Sequence, residues 1–75
     1  MQTTEVPVRF TLHEEAPISE YLEDGLIREA FPQEDGTFQV ILQADETLAE
    51  SLDWSELAEF FGLDSEFVIY MEVLG

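Results

Sequence analysis

The chain contains no cysteine and no lysine, and its only cationic side chains besides one histidine are Arg9 and Arg28. Without cysteine it forms no disulfide and no thiolate zinc site. With two arginines and no lysine it has little from which to build a phosphate-binding surface, so no direct binding to nucleic acid is expected. No apolar run reaches the roughly 18 residues of a membrane span, so no membrane segment is expected. The start "MQTTEVPVRF" lacks a basic segment followed by an apolar stretch, so a secretory signal is not expected and the cytoplasm is the expected location.

Chemistry-bearing patterns are equally sparse. There is no Gly-rich phosphate loop. His13, the single histidine, stands beside Glu14 and Glu15, which falls short of a metal site, and is read as a surface residue. "DGTF" and "LDSE" lack the alternating oxygen ligands of a calcium loop. Ser19, Ser51, Ser55 and Ser65 have no histidine relay to activate them. Carboxylate pairs abound, but general acid catalysis needs one acid in an apolar cleft, for which a chain of 75 residues has little room. The expectation is a protein that is not an enzyme and uses no metal or cofactor.

What is present is apolar mass and negative charge. Hydrophobic residues make up 45% of the chain, with six Phe and one Trp, enough for one small folded domain and unlike a disordered acidic tail. Eighteen Asp and Glu set the net charge at −16. A folded monomer of this mass exposes roughly 4,700 Å², or about one net negative charge per 300 Å². B-DNA, treated as a cylinder of about 10 Å radius, carries roughly one per 110 Å². The mean density is thus about a third of a duplex's, and higher locally if the acids share one side. Such a load opposes compaction by self-repulsion, in a domain with little stability to spare.

Along the chain, "EVPVRFTLH" alternates Val6, Val8, Phe10 and Leu12 with Pro7, Arg9, Thr11 and His13, the period of a half-buried strand. Pro7 points to an edge position or an irregular start. In "APISEYLEDGLIREAF" the spacing of Ile18, Leu22, Leu26 and Ala30 predicts one helix with one buried stripe. Gly25 offers the alternative, a short helix capped at Asp24 with "LIREAF" left as a strand in a hairpin with the next segment. "PQEDG" is a turn and "TFQVILQA" a strand, with Phe38, Val40, Leu42 and Ala44 on one side.

"DETLAESLDWSELAEFFGLD" reads as two short helices, the second capped by Asp53 with Glu56 three residues on, and ended by Gly62 with Leu63 packing back. "EFVIYMEVLG" is aromatic and β-branched, a strand with Phe67, Ile69, Met71 and Val73 inward. The stretch around Ala58, Gly62 and Leu63 has the spacing of a helix-turn-helix turn, but the following segment favours a strand and carries no Lys or Arg. The expected class is α/β (α+β): a small three-stranded sheet, two helical segments packed on one face, in the order β-α-β-α-β. The other sheet face would show Arg9, Thr11, Gln39, Ile41, Gln43 and Tyr70, a semi-polar surface that is open, dimeric or bound to a partner.

The acids are unevenly placed. On this reading only Glu5 and Glu72 fall in strands, and the helical segments and their flanks hold the rest. Pairs such as Glu20/Asp24 and Glu46/Glu50 lie four apart on one helical face, where like charges cost stability. They repeat every ~6 Å along the helix, of the order of the phosphate spacing on a strand. In size, charge and mixed α/β make-up the whole chain resembles DNA-mimic inhibitors: small acidic phage anti-CRISPR and anti-restriction proteins, and the uracil-DNA glycosylase inhibitors. The resemblance is one of composition and brings no contact residues with it. It implies a phage or mobile-element protein, acting in the host cytoplasm, that fills the basic groove of a nucleic-acid-binding protein such as a CRISPR effector, a restriction enzyme or a repair enzyme. Read from the residues, the partner-binding acids are Glu20, Glu23, Asp24, Glu46, Glu50, Asp53, Glu56 and Glu59, on a monomer or homodimer. Three other readings stand beside it: an acidic interaction module such as an immunity-type partner of a basic toxin, a generic acidic or halophilic domain, and a helix-turn-helix regulator. Arg9 and Arg28 are each expected to pair with a carboxylate. Trp54, Tyr21 or Tyr70, if exposed beside the acids, becomes an anchor candidate.

Overall fold

A computed structural model describes residues 4–74. The elements are β1 (Glu5–Leu12), α1 (Ile18–Glu23), β2 (Phe31–Pro32), β3 (Phe38–Asp45), α2 (Glu46–Ser51), α3 (Trp54–Phe60), a 3₁₀ turn (Ser65–Phe67) and β4 (Val68–Val73). The sheet has four strands in the order β2-β3-β1-β4, and every pairing is antiparallel. The fold is therefore α+β as expected, with four strands rather than three; the second helical segment is two short helices, as read, which makes three helices in all.

The extra strand and the shortened first helix share one cause. Gly25 takes φ +75°, and the chain turns off the helix there. Gly25 N–H bonds to Leu22 C=O at 3.2 Å and Leu26 N–H to Tyr21 C=O at 3.0 Å, the paired bonds that close a helix on a left-handed glycine. Asp24 is the C-cap, so the single helix through Phe31 does not form. Of the expected stripe Leu22 is exposed, whereas Ile18, Leu26 and Ala30 pack half-buried against the core; the fully buried residues of this segment are Ala16, Tyr21 and Ile27. Phe31 and Pro32 then pair with Gln39 and Phe38 across the turn, a hairpin much shorter than "LIREAF" allowed.

β1 is a central strand, contrary to the edge position that Pro7 favoured. Its register explains the proline. The β1·β4 pairing starts at Val8↔Val73, and Pro7 only accepts, from Leu74 N–H at 2.9 Å. The missing proline N–H thus falls where β4 runs out, and little of the ladder is lost.

One sheet face carries Val8, Phe10, Leu12, Val40 and Ala44, all buried, and against it pack Tyr21, Ala49, Leu57, Ala58 and Leu63 from the helices and their ends. Phe10 and Phe61 meet edge to face at 6.2 Å, a favoured aromatic geometry. α3 ends as α1 does. Gly62, at φ +86°, donates to Glu59 C=O at 3.0 Å, and Leu63 N–H bonds to Ala58 C=O at 2.9 Å. The 3₁₀ turn and β4 come next in the chain, so among the described residues no α-helix follows α3 where a helix-turn-helix reader needs one.

Candidate partner-binding surface

The eight acids read from the sequence all lie exposed in or at the ends of the three helices. Glu20 and Glu23 are on α1 and Asp24 is its C-cap. Glu46 opens α2 and Glu50 lies one turn on. Asp53 is the N-cap of α3, with Glu56 and Glu59 on the helix. The capping expected of Asp53 is present: its carboxylate accepts from Glu56 N–H at 2.9 Å and from the Ser55 hydroxyl at 2.9 Å. Those donors, the Glu56 N–H first, hold the Asp53 carboxyl below the usual aspartate range. Asp35, in the β2–β3 turn, is lowered in the same way by the hydroxyl and N–H of Thr37.

Three acids fall in strands, not two, because Asp45 both ends β3 and caps α2, accepting from Thr47 N–H at 2.8 Å. Of the three, Glu72 pairs with Arg9 on the open sheet face. Arg28 is exposed and, among the described residues, has no ion-pair partner, so the pairing expected of both arginines holds for Arg9 only. Besides Asp45, eight of the eighteen acids lie on or cap the three helices. The other seven outside the strands, Glu29, Glu34 and Asp35 of the expected first helix and its flank among them, fall in connecting segments and the 3₁₀ turn, while the strands, with Arg9, hold a net charge of −2. With an accessible surface of 5038 Å², the chain has about one net charge per 315 Å², close to the value expected from its mass.

Two of the three aromatic candidates are exposed. Trp54 is 48% exposed and Tyr70 57% exposed, whereas Tyr21 is buried and hydrogen-bonds Asp64. Trp54, Tyr70, Ile69 and Met71 line a groove of about 500 Å³ with Asp53 at its rim. Glu46 and Glu50 border a second depression of about 400 Å³, together with Val6, Ala49 and Val73.

Ile69 and Val73 are the two residues of this segment expected inward that the structure leaves exposed, Val73 because it stands at the end of the β1·β4 ladder. Strict alternation put Ile69 in the core, but the register slips between Thr11↔Tyr70 and Leu12↔Val68. The resulting bulge turns Val68 inward and leaves Ile69 55% exposed. Met71 packs on the core as expected, and Phe67 is half-buried against it. The open sheet face shows the expected Arg9, Thr11, Gln39, Ile41, Gln43 and Tyr70, joined by Phe31, whose partner Gln39 lies on that side. His13 is exposed, and its Nδ1 accepts from Glu15 N–H at 3.1 Å.

No protein-family model, curated protein or solved structure matches this chain. The functional reading therefore rests on the surface itself.

Proposed function

We propose that this domain inhibits a nucleic-acid-binding protein by occupying its basic groove, with the helical layer standing in for a nucleic-acid backbone. The observation that carries the reading is where the acids stand: eight are exposed on or at the ends of the three helices, over strands whose net charge is only −2. Its dimensions agree. The chain measures 39 × 22 × 19 Å, and a duplex is about 20 Å across, with roughly 23 charges in 39 Å at one per 1.7 Å. A net charge of −16 over that length is of the same order.

In this mechanism Glu20, Glu23, Asp24, Glu46, Glu50, Asp53, Glu56 and Glu59 pair with Lys and Arg of the target groove. Long-range attraction speeds the encounter and makes it sensitive to salt. The energy is shared among many contacts, so no single acid is essential. The partner class is a CRISPR effector, restriction enzyme or repair enzyme of the host cell, and competition with its nucleic acid is the mode of inhibition.

The test is capture from host lysate at low salt, with and without excess duplex DNA, by the native chain and by a variant with Glu46, Glu50 and Glu56 changed to Lys. The reading expects a basic nucleic-acid enzyme that DNA displaces and that the variant, still folded by circular dichroism, does not hold. Capture that ignores DNA points to the immunity-type module. Reversals that leave capture unchanged rule out mimicry.

A further inference from the structure

The groove beside α3 is built from two walls. One is the start of α3, with Asp53 and Trp54; the other is Ile69, Tyr70 and Met71 of β4. Successive residues of a strand point to opposite faces, so a cavity touching three in a row runs along the edge of that strand. β4 is an outer strand of the sheet, and its pairing with β1 uses one side only. The groove is thus apolar within and lies against an unpaired strand edge.

Its surroundings are anionic. From Asp53 to the last residue the sequence holds no Lys or Arg, and Arg9, on the neighbouring strand β1, is neutralised by its pairing with Glu72. Asp53 stands at the rim with its carboxylate fixed by Glu56 N–H and the Ser55 hydroxyl, and Glu56 is exposed one turn along α3. A second copy of this chain, docking through the same edge, would bring two such rims together and meet like-charge repulsion. A basic strand meets the opposite sign. Exposed Trp and Tyr are also the side chains that most often anchor an interface, and charge without an anchor steers more than it holds.

We propose that this groove seats one apolar side chain of an extended basic segment laid along the β4 edge, with flanking Lys or Arg of that segment paired to Asp53 and Glu56. This rests on the reading that the acids meet a basic partner, and adds to it a defined anchor point. Charge supplies the approach, and the Trp54–Ile69 groove selects among basic partners.

The test uses two synthetic eleven-residue peptides of alternating Lys and Ser, one with Leu at its centre and one with Ser throughout. Trp54 is the only tryptophan, so intrinsic emission reports on the groove directly. The Leu peptide is expected to bind about tenfold more tightly or better than the Ser peptide, from burial of one large apolar side chain, and to shift Trp54 emission to the blue. The preference should persist as salt rises and disappear in Ile69→Ser, a substitution at an exposed position whose fold is checked by circular dichroism. Equal binding of both peptides, or a preference that survives Ile69→Ser, overturns the groove and leaves acid pairing standing. Failure of both peptides to bind at low salt overturns the groove and the acid-pairing reading together. Emission already shifted to the blue without peptide, in a concentration-dependent way, identifies a second copy as the occupant and also overturns the proposal.

Discussion

The Tyr21 hydroxyl is held by Asp64 from two directions: it donates to Oδ2 at 2.8 Å and accepts from the Asp64 N–H at 3.1 Å. These bonds tie α1 to the loop after α3 across forty-three positions of chain. A second contact runs in parallel. The Leu26 side chain, just past the glycine that ends α1, lies against Gly62, the glycine that ends α3. Two short helices, each closed by a left-handed glycine, are locked to one another at their C-terminal ends.

Removing the hydroxyl tests the lock. Tyr21→Phe keeps the ring in the core and leaves the Asp64 N–H and carboxylate without this partner, a loss of about 1 kcal/mol. In a domain of this size that lowers Tm by roughly 4–8 °C. Burial, first of all, raises the Tyr21 phenol above the usual tyrosine value. A raised folded value means that the contribution is fully present below the unfolded pKa near 10 and is lost as pH rises through the folded one. Chemical denaturation of both forms between pH 7 and 11 should show a full gap at neutral pH that narrows above about 10. A constant gap would falsify the assignment.

The two glycines separate backbone strain from contact. A Cβ on Gly25 would meet nothing within 4 Å, whereas one on Gly62 would sit 3.1 Å from Leu26 Cδ2. Both have positive φ, so Ala at either site costs about 1–2 kcal/mol of conformational strain. Gly62→Ala must also displace Leu26 and is expected to be the more destabilising of the two. Guanidinium unfolding of the pair decides this, and equal midpoints would mean that Leu26 yields freely.

Asp53 has a structural role beside its proposed one. Asp53→Ala removes the cap of α3 and should lower Tm, whereas Asp53→Asn retains an acceptor and should hold most of it. Because the carboxyl lies below its usual range, its stabilising effect is present above the ordinary Asp value near 3.9 and is lost as pH falls through the folded one. Acid titration of Tm should therefore show a smaller decline for Asp53→Asn than for the native chain. Matching acid limbs would remove the cap from the account.

Salt acts in opposite directions on folding and on binding. Screening relieves repulsion within a chain of net charge −16, so Tm should rise between 10 mM and 0.5 M sodium chloride. The same screening should weaken capture of a basic partner. A Tm insensitive to salt would show that the acids are too well separated to repel.

Much of this architecture could be read from residue pattern. Period two placed the inward faces of β1 and β3, and Asp53 and Gly62 marked both ends of α3. The exposure of the eight acids followed from their charge. What escaped was decided by tertiary competition. Helix propensity across "LIREAF" was sound locally, but Gly25 ended the helix and Phe31 and Pro32 paired with β3 instead. The Ile69 bulge has no local signature: "FVIYMEV" alternates as well in either register, and the packing of Val68 opposite Leu12 chose between them. The aromatic groove, which depends on that slip, was therefore visible only as a condition on Trp54 and Tyr70.

The eight acids on the helices, over strands whose net charge is only −2, have a further consequence under the proposed mechanism. In the field of a positively charged cleft a body so charged would feel a torque as well as an attraction. It would turn while still at a distance and arrive with the helices leading. Part of the orientational search that slows most protein associations would then be completed before the first contact, and the open sheet, with Ile41 and Phe31 on it, would trail toward solvent.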